Sequence, residues 1–222
     1  HAWTDSTRGT SKRIYSNSTS GEESHTDRVT AFNSDGFSLG GSSIVNTNNY
    51  NYVAWQWKAN GGTTANNTTG SLASVVQANT TAGFSIVTWT GAGGVRTVGH
   101  GLGAAPDVII AKNRSTSTQW GVWHKNLADT DNNLRINSTS AEVDDALWND
   151  TVPTSSVFSI SSAAEVSNAS IAYCFAEKQG YSKFGSYLGN GNAGGPMIYT
   201  GFKPAFVMVK IIDTQGGTAG EW

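Results

Sequence analysis

His100 is flanked by Gly99 and Gly101, so the backbone there can approach a ligand closely and the imidazole can serve as a base or a metal ligand. No second His or Cys stands at ligand spacing. His1, His25 and His124 are isolated and Cys174 is the one cysteine, so loop packing is the expected role of His100. Asp129-Thr130-Asp131-Asn132-Asn133 offers oxygen ligands for calcium but lacks the glycine and the closing Glu of an EF-hand loop, and reads as a solvated turn. Asp144, Asp145 and Asp150 supply carboxylates, and glycoside hydrolysis needs two of them about 5 to 10 Å apart across a cleft. Proximity along the chain does not produce that arrangement. Gly91-Ala92-Gly93-Gly94 and Gly189-Asn190-Gly191-Asn192 lack the Lys-Ser/Thr pair and the helix of a phosphate loop, so hairpin turns are expected. The expectation is therefore no catalytic residue, no metal and no cofactor.

Aromatic residues are the second resource. Eight Trp and seven Tyr can offer rings for pyranose faces to stack on. Trp55, Trp57 and Trp89 fall on strand faces expected to be buried. Trp120, Trp148 and Trp222 lie near polar loops and are the candidates for contact with a neighbouring subunit or a glycan. Asp5 and Arg8, in Asp5-Ser6-Thr7-Arg8-Gly9, are placed to pair across a tight turn, a gain of at most about 1 kcal/mol if the pair is exposed.

These groups need a framework. Only 14% of the 222 residues are charged, and the polarity comes from Ser, Thr, Asn and 26 Gly, a mixture that punctuates short strands. The net charge of -2, with scattered Lys and Arg, supplies no electrostatic footprint for a phosphate backbone, so nucleic acid is not an expected partner. No apolar run approaches the roughly 20 residues that span a bilayer, and membrane insertion is not expected.

A duplication dominates the chain. Trp3, Asn17-Ser18-Thr19-Ser20 and Glu22 return as Trp123, Asn137-Ser138-Thr139-Ser140 and Glu142, each 120 positions later. Tyr52-Val53-Ala54-Trp55-Gln56-Trp57 matches Ser170-Ile171-Ala172-Tyr173-Cys174-Phe175, 118 positions on. Pro106-Asp107-Val108-Ile109-Ile110-Ala111-Lys112 matches Pro204-Ala205-Phe206-Val207-Met208-Val209-Lys210, 98 positions on. The excess of the first copy falls in a polar, Gly-rich stretch. The expected organisation is residues 1-60 as part of a first unit, 61-82 as a polar connection, 83-178 as a second unit, and 179-222 as the start of a further repeat or the completion of the first. Joining Trp222 to His1-Ala2-Trp3 would regenerate the Trp-x-x-Trp of Trp120-Gly121-Val122-Trp123, so a slice of a longer protein or units joined head to tail are expected.

Val53, Trp55 and Trp57 alternate with smaller or polar residues, the period of two that sets one apolar face on a strand, and Ile171, Tyr173 and Phe175 repeat it. Residues 84–90 and 108–112 are rich in β-branched and aromatic types, and Pro106 and Pro204 sit where a strand begins. Short helices are considered at 141–148 and 21–30. Strands of this kind bury their apolar faces by stacking antiparallel sheets, and the expected fold is all-β: two related antiparallel β-sandwich repeats of jelly-roll type.

Thr88-Trp89-Thr90-Gly91, followed by His100-Gly101-Leu102-Gly103-Ala104-Ala105-Pro106-Asp107, resembles a repeat of structural proteins from tailed bacteriophages, particularly marine ones. Asp5-Ser6-Thr7-Arg8-Gly9, Asn33-Ser34-Asp35-Gly36-Phe37-Ser38 and Tyr52-Val53-Ala54-Trp55 resemble further blocks of that repeat, in their usual order. The resemblance implies a lectin-like or SPRY-like sandwich and a non-enzymatic module of a virion, as tail fibre, appendage or capsid decoration. Its partners would be other copies of itself or neighbouring virion proteins, and its location the extracellular particle. The alternative is an adhesin for host-surface glycan, and after it a glycan-cleaving enzyme.

Overall fold

The computed structural model describes residues 2–161 and 168–213. The fold is all-β. Its centre is a six-stranded antiparallel sheet built from β6 (Ala65–Asn67), β7 (Ser74–Asn79), β8 (Phe84–Thr90), β10 (Val108–Asn113), β11 (Gly121–His124) and β15 (Ala169–Phe175). The spatial order is β11-β10-β15-β8-β7-β6, so the last of these strands in the chain occupies the middle of the sheet. β15 pairs with β10 from Val108↔Phe175 to Asn113↔Ser170 and with β8 from Phe84↔Phe175 to Thr90↔Ala169.

Alternation along these strands feeds two cores, because successive side chains leave a strand on opposite faces. Val87 and Trp89, Ile109, Ala172 and Cys174 point to one face, where Leu72, Val98, Leu102, Trp148, Phe158 and Ile160 meet them. Half of that cover comes from a two-stranded ribbon of β9 (Arg96–Gly99) and β14 (Val157–Ile160), registered from Val157↔Gly99 to Ile160↔Arg96. Phe158 is held edge-on between Trp89 and Trp148, with centroids 5.6 and 6.4 Å away. Each such contact contributes about 0.5–1.5 kcal/mol beyond burial. Phe84, Ile86, Val108, Ile110, Ile171 and Tyr173 fill the other face, under Trp3, Ile14, Trp120 and Leu134. Trp3 and Ile14 belong to a small sheet of β1 (Ala2–Trp3), β2 (Lys12–Tyr15) and β3 (Glu23–Ser24). The remaining regular elements are β4 (Val29–Phe32) paired with β5 (Phe37–Leu39), one helical turn α1 (Ser43–Asn46), and β12 (Asn132–Asn133) paired with β13 (Val143–Asp144).

The duplication is carried into local geometry. Lys12 faces Ser24 and Arg13 faces Glu23, and 120 positions on Asn132 faces Asp144 and Asn133 faces Val143. The Ser20 amide bonds Ser18 Oγ at 3.1 Å, and the Ser140 amide bonds Ser138 Oγ at 3.1 Å. The Glu22 amide donates to the Arg114 carbonyl at 2.7 Å, and the Glu142 amide to the Ile212 carbonyl at 3.0 Å.

Several sequence expectations need correction. Residues 61-82, expected as a polar connection, contain β6 and β7, both members of the main sheet. Val76 and Gln77 are buried there, and Gln77 is held by Ser6, Thr7 and the Gly62 amide, so a polar residue hid a strand. The stretches 141–148 and 21–30 are not helical and contribute β13 and β3 instead. Residues 52–57 and 204–210 form no strand, although their repeat counterparts β15 and β10 do. Trp55 and Trp57, expected on a buried face, are 67% and 51% exposed. A strand is held only where a neighbour pairs its backbone, and neither stretch is bonded into a sheet.

Candidate functional site

Each candidate from the sequence has a definite place. Trp120 and Trp148, expected at a glycan or subunit contact, are instead fully buried: Trp120 is 0% and Trp148 1% exposed. Trp120 donates its Nε1 hydrogen to the Tyr15 carbonyl at 2.9 Å and meets Trp3 edge-on at 5.1 Å. Polar neighbours in sequence concealed this, because the groups that bury both rings come from remote segments. Trp222 lies outside the described residues.

His100 is buried at the end of β9. Its Nε2 lies 3.1 Å from the Thr154 carbonyl and its Nδ1 accepts the Leu102 amide at 3.2 Å, so the partners fix the neutral tautomer with hydrogen on Nε2. Burial holds its pKa below the ordinary imidazole value, against the smaller opposing effect of the Thr154 carbonyl. The unfolded chain therefore takes up a proton here before the folded one does. Stability is fully present above the ordinary imidazole range and falls as pH drops through it towards the lowered folded value. We expect the urea midpoint to decline over that window, and His100→Gln to weaken the decline, measured by circular dichroism at a series of pH values.

Asp129 and Asp150 share the Thr130 hydroxyl, while Asp145 is tied to other partners. Asp131 accepts the Asp150 amide at 2.7 Å, Asp150 accepts the Thr130 hydroxyl, and Asp145 is tied to Asn133 at 3.0 Å and Arg135 at 3.1 Å. Among the described residues no group of three or more His, Cys, Asp or Glu is placed to hold a metal ion.

The one dense polar constellation is inside. Asp5 opens the Asp5-Ser6-Thr7-Arg8-Gly9 turn, and its Oδ1 accepts the amides of Thr7 and Arg8 at 3.1 and 2.9 Å, which folds Arg8 back over it. Gly9, at φ +89, closes the turn in a conformation that a side chain would strain. Arg8 Nε then meets Asp5 Oδ2 at 2.6 Å, Nη1 meets Glu22 at 3.1 Å, and Nη2 reaches both the Trp3 carbonyl and the Tyr173 hydroxyl at 3.1 Å. Tyr173, from the central strand β15, donates to Asp5 Oδ2 at 2.8 Å. Arg114, just after β10, grips Glu22 with two bonds of 2.8 and 3.0 Å. The pairing of Asp5 with Arg8 was legible in the sequence. Its burial was not, since three of the five partners come from elsewhere.

Electrostatics in this cluster follow from burial and pairing. Burial opposes the charge of Arg8, but Tyr173, Asp5 and Glu22 outweigh it and hold the guanidinium protonated. Burial also pushes Glu22 up, and the bonds from Arg114 and Arg8 pull it below the ordinary carboxylate value. Tyr173 is pushed well above the ordinary phenol value, chiefly by burial and then by Asp5, and stays a donor. The bonds of Arg8, Asp5, Glu22, Arg114 and Tyr173 make this cluster a fastener between the β1–β3 layer and the main sheet.

At the repeat-related positions the residues change together. Asp5, Arg8, Arg114 and Tyr173 correspond to Lys125, Ala128, Ile212 and Trp55, while Glu22 is kept as Glu142. Glu142 accepts the Ala128 amide at 3.0 Å, and Lys125 turns to Asp107 at 2.8 Å and Glu177 at 2.6 Å. Burial pushes Glu177 up, but bonds from Lys125, Lys183 and the Phe184 amide outweigh it and hold its carboxyl at about 2.

A family model described as a domain of unknown function (DUF7483) matches residues 1–222. Neither curated proteins nor solved structures yield a match.

Proposed function

We propose that this chain, which belongs to the DUF7483 family, is a non-enzymatic structural module that works by packing against neighbours, in the setting of a phage virion that its blocks resemble. The observation carrying this reading is the distribution of apolar surface. Val53, Trp55, Trp57, Met197, Tyr199, Phe206, Val207 and Met208 are exposed, and they cluster in two stretches of chain. Contiguous exposed apolar groups of this kind mark protein contacts. The ionisable groups, by contrast, are spent on internal fastening, as in the Asp5–Arg8–Glu22 cluster. A virion location is tested by immunogold electron microscopy of purified particles, with antibody raised against this chain. Label on a tail, fibre or capsid is the expected result, and label confined to the particle-free fraction overturns it.

The exposure of Trp55 and Trp57 also favours a second reading, contact with host-surface glycan, because pyranose faces stack on such rings. Binding on a glycan array that is lost with Trp55→Ala, while the fold persists, would support the adhesin in place of the purely structural role.

A further inference from the structure

We propose that residues 53–57 of one copy add as an antiparallel strand to residues 206–210 of a second copy, recreating between molecules the β15–β10 pairing found inside the sheet. The inference deepens the structural-module reading and rests on it for its biological setting.

The repeat correspondence defines the partner. Residues 53–57 match the part of β15 from Ile171 to Phe175, and residues 206–210 match the part of β10 from Val108 to Lys112. In the complete sheet those strands are immediate neighbours, with Val108↔Phe175, Ile109↔Cys174, Ile110↔Tyr173, Ala111↔Ala172 and Lys112↔Ile171. Transposed, the register is Phe206↔Trp57, Val207↔Gln56, Met208↔Trp55, Val209↔Ala54 and Lys210↔Val53.

Neither stretch is bonded into a sheet in this chain, and each is anchored at one end to a different part of it. Val53 is 81% exposed and Val207 67%. Residues 57–59 are anchored near β15 and β7, where Trp57 meets Phe175 and the carbonyls of Lys58 and Ala59 accept from Asn79. Residues 210–212 are anchored on the other repeat element, where Lys210 donates to the Thr139 carbonyl at 3.3 Å and the Glu142 amide to the Ile212 carbonyl at 3.0 Å. That second anchor copies the bond from the Glu22 amide to the Arg114 carbonyl just after β10, so residues 210–212 meet residues 139–142 as residues 114–118 meet residues 19–22.

The chemistry of the seat fits the incoming strand. Where Tyr173 of β15 meets Asp5 and Arg8, and Arg114 holds their neighbour Glu22, the counterpart ring is Trp55, which has no hydroxyl, and the counterpart seat has exchanged Arg8 for Ala128 and Arg114 for Ile212. Leu127, Ile136 and Ile212 are partly buried apolar groups at that seat. The phenol on one side and both guanidinium groups on the other are lost together, which spares the contact unpaired cations, while the retained Glu142 carboxylate is turned to the Ala128 amide. The association is heterologous: each copy gives one stretch and receives the other, so copies join head to tail into a ring or an open array.

The test uses two variants of the full 222-residue chain with different tags, Gln56→Cys and Val207→Cys, mixed under mild oxidation. The expected result is a covalent pair containing both tags, and its loss when Val207→Cys is replaced by Val209→Cys, two positions out of register. Sedimentation should show mass rising with concentration for the unaltered chain. Trp55→Pro, which removes a strand donor at an exposed position, should weaken association by about tenfold or more with circular dichroism unchanged. A chain that stays monomeric at every concentration and forms no mixed disulfide overturns the proposal, as does cross-linking that ignores register. Self-association by a chain absent from particles would sink the virion setting alone, and a particle-borne chain that never cross-links would sink the pairing alone.

Discussion

Arg8→Met should lower the unfolding free energy by about 3–5 kcal/mol, read as a lower urea midpoint at unchanged slope. The guanidinium has no exposed side-chain surface and faces carboxylates of Asp5 and Glu22 that are themselves 7% and 10% exposed. Removing it leaves Asp5 with Tyr173 and its own turn amides, and the Trp3 carbonyl without that donor. The cost is that of stranding charge in a dry place, larger than the pair's own net contribution. Removing both signs together should therefore recover much of the loss, so Arg8→Met combined with Asp5→Asn, which leaves Glu22 paired with Arg114, is expected to lie closer to the parent than Arg8→Met alone. A single variant within about 0.5 kcal/mol of the parent would show that water reaches the cluster. The second copy already makes the apolar exchange at the positions of Arg8 and Arg114, with Ala128 and Ile212 in their places.

Trp120→Ala and Trp148→Ala are each expected to cost about 3–5 kcal/mol, because removing a fully buried indole loses its transfer free energy and opens a cavity that rigid strands cannot close. Trp120→Ala also deprives the Tyr15 carbonyl of its donor. The exposed Trp55 supplies the contrast: Trp55→Ala in the isolated chain should stay within about 0.5 kcal/mol, since solvent already covers most of that ring. Denaturation followed by far-ultraviolet circular dichroism separates these outcomes without relying on the fluorophores being removed. Equal effects at Trp55 and Trp120 would contradict the burial described here.

Four tryptophans show what sequence reading captures. Trp89, in Phe84-Ser85-Ile86-Val87-Thr88-Trp89, was placed correctly on a buried strand face because alternation and β-branched neighbours are local signals. Trp120 and Trp148 read as surface groups because the residues around them are polar, whereas burial is decided by rings the fold brings in, Trp3 from the far end of the chain for Trp120 and Phe158, ten residues on, for Trp148. Trp55 was misjudged in the opposite sense. Its alternation describes a strand, but a strand requires a neighbour, and the periodicity of one segment carries no information about whether that neighbour is present. Strands β8, β10 and β15 were legible for the reasons that made them strands, with Pro106 marking where β10 begins. β7 was overlooked inside a Gly- and Asn-rich stretch, since Gln77 reads as solvent-facing until Ser6 and Thr7 arrive to bond it. His100 as a packing residue and the pairing of Asp5 with Arg8 were both readable from adjacent residues. The partners Glu22, Arg114 and Tyr173 were not.

The small β1–β3 layer that roofs one face of the main sheet has its repeat counterpart in β11 to β13, and β11 is itself the edge of that sheet. One stretch of chain thus finishes the main sheet at its edge while its counterpart shelters a face of that same sheet, in the way each shingle on a roof is nailed down by the course above. An excised β6–β15 segment would lose Trp3 and Ile14 from the cover over Ile171, Ile110 and Phe84.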